Sequence, residues 1–391
     1  MVVMLADTDV GSIITAGLSG VQWGYRLLLF QLVLIPILFM VQELTVRLGI
    51  FTGRGHGELI RETFGPFWAW VSVAGLGVAT MGALVTELSG VAGVGELYGV
   101  PREVSLALAT VALLVVVLTG SYRRVERVAI ILGLFEFAFF IVAWMAHPHL
   151  ADVTAGSLDI PIGNKDYLYL AAANIGAVIM PWMVFYQQSA VADKKLRPEH
   201  LAAARWDTAV GAVVTQLVMA AVLVAAAATI GQANPGAKLE TVGQMSEAFA
   251  PYLGEGLGRL VFSLGVLGAA MVAAIVATLA LAWGVGEVAG FRRSLELRPA
   301  QARWFYGIYA GCVVGCAVLV AVWPNLVSLN VGVQIMNALM LPLVLGFLIA
   351  LAVRALPPSH QLRGIYLWVL VGLVGLTALL GVVGAVAGAI S

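Results

Sequence analysis

Apolar residues run along this chain in long stretches, each closed by charge, proline or a glycine cluster. The runs fall near positions 1–24, 27–48, 67–97, 103–121, 125–146, 167–190, 204–230, 257–286, 304–323, 327–353 and 364–389. A hydrocarbon core takes about 20 residues of helix to cross, so the pattern predicts eleven transmembrane helices. The expectation is an all-α, polytopic membrane protein forming one transmembrane domain over 1–391.

Positive charge sorts the loops between these runs. Arg47, Arg54 and Arg61 follow the second run, Arg123, Arg124 and Arg127 the fourth, and Lys194, Lys195, Arg197 and Arg205 the sixth. Arg292, Arg293, Arg298 and Arg303 follow the eighth, and Arg354 and Arg363 the tenth, so alternate loops carry sixteen of the 21 basic residues. Lys and Arg are retained on the cytoplasmic side during insertion. A multi-pass protein of the cell membrane is expected, with its N-terminus cytoplasmic and its C-terminus external. Five spans is an odd number, so spans one to five (about 1–146) have inverted topology relative to spans six to ten (about 167–353), leaving an extra helix at about 364–389. That parity is what an inverted-repeat transporter requires, and the test is whether spans one and six share a defect.

Composition narrows the partners. The chain is 61% hydrophobic and 11% charged, against about 25% charged in soluble domains, so the lipid bilayer is its main surroundings. Its net charge is zero, which offers nucleic acid no basic field. Cys312 and Cys316 lie four apart on one helical face and suit packing better than a disulfide framework. Met1 to Val10 lacks basic residues and holds Asp7 and Asp9, unlike a secretory signal. Only eight residues precede Asp9, about 12 Å as helix, so either the first half-helix is brief or residues are missing. No cofactor is implied; oligomeric state is left open, and a monomer suffices for the expected architecture.

The defect is present in both spans. Span one contains Asp7-Thr8-Asp9-Val10-Gly11-Ser12 and span six contains Gly176-Ala177-Val178-Ile179-Met180-Pro181-Trp182-Met183. A glycine beside two carboxylates, and a mid-span proline, interrupt helices at membrane depth, and paired interruptions point to a binding site near the midplane. A carboxylate in hydrocarbon calls for a cation or proton as partner, which singles out Asp9, with Glu87 in span three as a second acid. The plainer alternatives are a solvated tail for Asp7 and Asp9, and a packing role for Glu87. Carboxylate, hydroxyl and freed carbonyl oxygens suit hard cations, whereas the Met180 thioether suits softer transition metals; Met180 would otherwise serve as core filler.

Here the chain resembles the NRAMP family of divalent metal transporters, which share an inverted-repeat fold with sodium-coupled amino-acid transporters. The family's Asp-Pro-Gly-Asn motif, followed twelve residues later by Gly-Tyr, is similar to Asp9-Val10-Gly11-Ser12 with Gly24-Tyr25. Its Met-Pro-His-Asn motif is similar to Met180-Pro181-Trp182-Met183, and Arg47 to Gly53 and Leu341-Pro342 look like its second and tenth spans. The resemblance covers essentially the whole chain. It implies a metal site of Asp9, Ser12, Met180 and the Ala177 carbonyl, with Asp7, Glu87, Trp182, Gln216, Gln334 and Asn337 as secondary or proton-path positions. Gln216, Gln334 and Asn337 lie a turn from the family's polar positions and equally suit bonding to a neighbouring helix.

Departures from the pattern bear on mechanism. Ser12 replaces an asparagine, Trp182 replaces the histidine of the second motif, and Gly90 stands where a second acid would follow Glu87. These changes leave a proton relay incomplete and are similar to a branch of NRAMP-related magnesium transporters. The transported ion is therefore expected to be Mn²⁺ or Fe²⁺, with Mg²⁺ as the alternative. A second alternative is an amino-acid transporter of the same fold, its substrate carboxylate bound at the helix start after Gly11; the Asp9 charge opposes that. Gly17-Leu18-Ser19-Gly20 looks like a serine-protease element, but every histidine falls in a loop or at a span end, so no enzyme activity is expected. His147-Pro148-His149 at the end of span five is expected to face solvent rather than hold zinc.

Overall fold

The local sequence explains where each helix starts and stops. Asp9 caps the helix Val10–Trp23 by accepting a hydrogen bond from the Ser12 N–H at 2.6 Å, and Gly53, with φ of 63°, ends Leu28–Thr52. Pro66 and Pro181 each sit in the first turn of a helix, where the missing N–H costs nothing. In chain order the helices are α1 (Val2–Leu5), α2 (Val10–Trp23), α3 (Leu28–Thr52), α4 (His56–Phe64), α5 (Pro66–Leu97) and α6 (Arg102–Leu118). Next come α7 (Tyr122–Gly133), a 3₁₀ turn at Leu134–Phe137, α8 (Ala138–Met145), α9 (Leu150–Leu158), α10 (Lys165–Val178) and α11 (Pro181–Asp193). The chain finishes with α12 (Leu201–Ala226), α13 (Glu255–Ala289), α14 (Arg303–Val322), α15 (Leu326–Arg354) and α16 (Gly364–Ala389). This is a computed structural model, and it describes residues 2–119, 121–232, 245–246, 255–322 and 326–389. Most of the connection expected between spans seven and eight, 231–256, lies outside them.

Among the described residues every element is helical, and each of the eleven apolar runs contains helix. Among the described residues, nine helical segments are long and apolar enough to cross a membrane. The other two runs hold the first pass, broken between α1 and α2, and α6, whose 17 residues span about 26 Å at 1.5 Å per residue. Two short helices between spans, α4 and α9, lay outside the expected pattern. No α9 residue is buried, whereas α4 buries His56, Gly57, Leu59 and Ile60. Around the centre, α5 packs along α13, α10 against α15 and α16, and α12 against α2 and α3.

Gly176 lets α15 approach span six at backbone distance, and Gly11 leaves room on span one for an α15 side chain. A methyl group on Gly176 would lie 1.8 Å from the Gln334 carbonyl oxygen, and one on Gly11 would lie 1.9 Å from the Gln334 amide nitrogen. A side chain at position 176 would displace a helix backbone, whereas one at position 11 would displace the Gln334 side chain, so Gly176 sets the distance between spans six and ten.

The loop side rich in Lys and Arg is tied by ion pairs. Glu43 on α3 holds both Arg47 and Arg205, and Glu58 on α4 holds Arg54 and Arg293. Beneath them Glu287 on α13 accepts from the Gly57 N–H at 2.8 Å and the Ser189 hydroxyl at 2.6 Å. His56 is fully buried, its Nδ1 donating to Gln188 Oε1 on α11 at 2.9 Å. Burial lowers the His56 pKa from 6.5 to about 4, because the charged imidazolium has lost its water.

A depressed folded-state value means that stability is present above the unfolded pKa and is lost as pH falls from 6.5 towards 4. The loss reaches up to about 3 kcal/mol once both states are protonated, at 1.36 kcal/mol per pKa unit. Melting temperatures at pH 7.5 and pH 4.5 should therefore differ more for the parent than for His56→Asn, and equal slopes would contradict the assignment.

Candidate metal site

The two breaks face one another inside the protein. Between α1 and α2 the segment Asp7-Thr8-Asp9 is unwound, with Asp7 1% exposed and Asp9 fully buried. Between α10 and α11 the backbone is extended at Ile179 and Met180, and Met180 is fully buried. The Asp7 and Asp9 side chains are therefore no solvated tail.

Ser12 joins the breaks. Its hydroxyl lies 2.9 Å from the Ala177 carbonyl oxygen and 3.0 Å from the Asp7 carbonyl oxygen, donating to this pair. Both acceptors are carbonyls released by helix interruption, which in lipid must find an internal partner. Asp9 Oδ1 is committed to the Ser12 N–H, while Asp9 Oδ2 is buried without a hydrogen-bond partner. Glu87 on α5 approaches Asp9 and accepts from the Val10 N–H at 3.2 Å, and its Oε1 is also unpartnered. Two N–H groups at the start of α2, those of Val10 and Ser12, are thus occupied by the protein's own acids.

The remaining expected residues divide. Asp7 Oδ2 accepts from Gln216 Nε2 at 3.1 Å, and Gln216 Oε1 in turn accepts from Gln31 Nε2 at 2.5 Å. Gln216 therefore belongs to a chain of amides ending on Asp7. Gln334 lies over Gly11, its Nε2 unpartnered, and Asn337 donates to Gln334 Oε1 at 3.1 Å. Gln334 thus borders the first break from α15, with Asn337 bonded behind it. Trp182 is fully buried with its indole N–H unpaired, so no side chain receives that proton. Ser19 is held by Asn174 and donates to the Thr15 carbonyl, with no base beside it. Cys312 and Cys316 are free thiols on α14.

Two features escaped the sequence. Glu136, on the 3₁₀ turn that interrupts span five, is 1% exposed and points towards Thr8, Asp7 and Asp9. An isolated acid in the run Leu134-Phe135-Glu136-Phe137 was the signal available. The second is the cause of the departure at Gly90. A methyl group there would lie 2.5 Å from a Val10 methyl, so Val10, which replaces the family's proline, fills the space that a second acid would need. Among the described residues, no three His, Cys, Asp or Glu side chains converge on one metal-sized point.

An all-helical membrane bundle broken at spans one and six is the LeuT-like architecture. A manganese transporter from Eremococcus coleocola superposes with a TM-score of 0.77 at 18% identity, covering 98% of this chain and 84% of that one. MhsT in complex with L-phenylalanine superposes at 0.66 with 14% identity, covering 99% and 97%. The chain belongs to the Nramp family: the model described as natural resistance-associated macrophage protein-like matches residues 1–387. Among sequence relatives, divalent metal cation transporter MntH 1 of Pseudomonas aeruginosa is 30% identical over 319 residues, covering 75% of this chain and 69% of that protein. MntH of Brucella suis is 27% identical over 284 residues, spanning 70% of this chain but 62% of the relative.

Packing between Val10 and Gly90 yields a double-mutant test. Gly90→Asp alone should lower the melting temperature, at a cost of about 1–3 kcal/mol for overpacking. Adding Val10→Ala should recover at least half of that loss. Strict additivity of the two changes in thermal denaturation would show that the residues do not share the space.

Proposed function

We propose that the chain carries a divalent metal cation across the cell membrane by alternating access. In this proposal the ion is held by Asp9, Ser12, the Ala177 carbonyl and Met180. The observation that supports it most directly is the junction at Ser12, where one hydroxyl lies between carbonyls freed from both broken spans, beside the unpartnered Asp9 Oδ2. A cation supplies that junction with what it lacks, a positive centre for several inward-facing oxygens. Desolvated oxygens without a partner cost about 1–3 kcal/mol or more each, so ion binding is coupled to closure around the site. Relatives named as divalent metal cation transporters support the same reading.

Spans one to five and six to ten would form the two inverted halves, which rock about the midplane site. The N-terminus is assigned to the cytoplasm by the basic loops, so the ion pairs of Glu43 and Glu58 lie on the inner face and must part for release. Uptake is proposed to proceed without proton coupling, because Trp182 replaces a titratable histidine and Val10 fills the place of the second acid. Mn²⁺ or Fe²⁺ is favoured by the buried thioether of Met180, which gives Mg²⁺ nothing. Mg²⁺ remains the second reading on one observation: apart from Met180, every atom offered at the junction is oxygen.

Uptake in proteoliposomes checks both points. Asp9→Ala should reduce Mn²⁺ uptake by at least about tenfold, the scale of a lost metal-site interaction, and undiminished uptake would remove the site. Met180→Ala should lower Mn²⁺ uptake about tenfold while changing Mg²⁺ uptake less than about twofold; equal effects on both ions would favour Mg²⁺.

A further inference from the structure

Beside the Asp9 junction lies a second group of buried oxygens. Glu136 reaches the break from the 3₁₀ turn between α7 and α8. Its turn is wedged between two helices, since a methyl on Gly133 would lie 2.8 Å from a Leu5 methyl on α1 and one on Gly268 would lie 2.4 Å from the Leu132 carbonyl. The Thr8 hydroxyl lies beside the Glu136 carboxylate, and Thr8 Oγ1 and Thr215 Oγ1 are 2.7 Å apart. Thr215 in turn lies 3.4 Å from Asp7 Oδ2, which also accepts from Gln216. Two hydroxyls thus link two carboxylates. Each carboxylate keeps one buried oxygen with no partner, Asp7 Oδ1 and Glu136 Oε1.

We infer that Asp7 and Glu136, with the Thr8 and Thr215 hydroxyls, form a second cation station that takes a hard divalent ion from Asp9 on its way to the cytoplasmic face. This rests on the proposed transport function and adds a site to it. The donors are carboxylate and hydroxyl oxygens with no sulfur or imidazole, a set that holds Mn²⁺ and Mg²⁺ alike. Position agrees with the route. The Lys/Arg-rich side of the protein contains a cavity of about 460 Å³ lined by Val2 and Val3 of α1, Glu126 and Ile130 of α7, and Lys194 and Asp207. The segments that carry Asp7 and Glu136 directly follow α1 and α7, two of the helices that wall this cavity. An ion leaving Asp9 towards it passes Asp7. Thioether selection at Met180 and oxygen-only passage at Asp7 and Glu136 are then separate steps.

Mn²⁺ binding by calorimetry on the purified full chain and Mn²⁺ uptake in proteoliposomes test the station. Glu136→Gln should keep Mn²⁺ affinity within about threefold of the parent while uptake falls at least about tenfold. Asp7→Asn should give the same split, and the double variant should lose no more than the worse single variant, because both act on one station. Parental uptake by both single variants would overturn the inference, as would multiplicative losses in the double variant. Loss of Mn²⁺ binding at unchanged melting temperature would also overturn it, by making these residues ligands of the first site. Should Glu136→Gln fail to elute as folded protein, Asp7→Asn alone decides by the same criteria. Asp9→Asn runs in parallel and separates the two proposals: if it binds and transports Mn²⁺ normally, the Asp9 site fails whatever Glu136 does.

Discussion

The Ser12 hydroxyl is the contact on which the centre of this protein depends. Interrupting two membrane helices frees backbone groups that water would satisfy in a soluble protein and that hydrocarbon leaves bare. Ser12 meets the Asp7 and Ala177 carbonyls together, while Asp9 and Glu87 take the N–H groups of Ser12 and Val10. Each break is therefore stabilised by the other and by the acids beside it. Neither half-helix pair is complete without its counterpart across the inverted repeat.

Around that contact the protein is built from close approaches that leave polar atoms in reserve. Buried oxygens of Asp7, Asp9, Glu87 and Glu136, and amide nitrogens of Asn330 and Gln334, have no partner. An interior with so many unmet groups is expensive as a resting structure, and sites that exchange ligands commonly store strain of this kind. On the basic side the reverse holds: Glu43, Glu58 and Glu287 each satisfy at least two donors. One region is poised to accept a charge; the other is knit shut.

Much of this was legible in the chain itself, because the membrane enforces simple rules. Helix length follows bilayer thickness, and the paired defects at Asp9 and Met180 stand out against otherwise apolar runs. Glu136 was missed for a physical reason: one acid in Leu134-Phe135-Glu136-Phe137 barely alters the hydropathy of its run, and only the 3₁₀ turn shows that it faces inward. The burial of His56 was equally hidden, since a histidine between spans reads as solvated until α4 is seen folded under α11. Gly90 was visible as a departure but unexplained, because its cause, the Val10 side chain, lies 80 positions away in another helix. Contacts between distant helices, which set side-chain direction and available volume, are what hydropathy along a chain does not carry.

The glycines at 11 and 176 have a mechanical meaning. Where side chains separate two helices, small sliding movements are absorbed by rotamer changes. Where a backbone touches a neighbour directly, as at Gly176 against the Gln334 carbonyl, there is no such cushion. Span ten cannot be displaced by one residue along span six without collision, and Gln334 touches span one through Gly11 as well. Span ten therefore bears on span six as one rigid surface, while its hold on span one passes through the Gln334 side chain, which can turn, so a push on span six moves span ten directly and reaches span one through a rotamer.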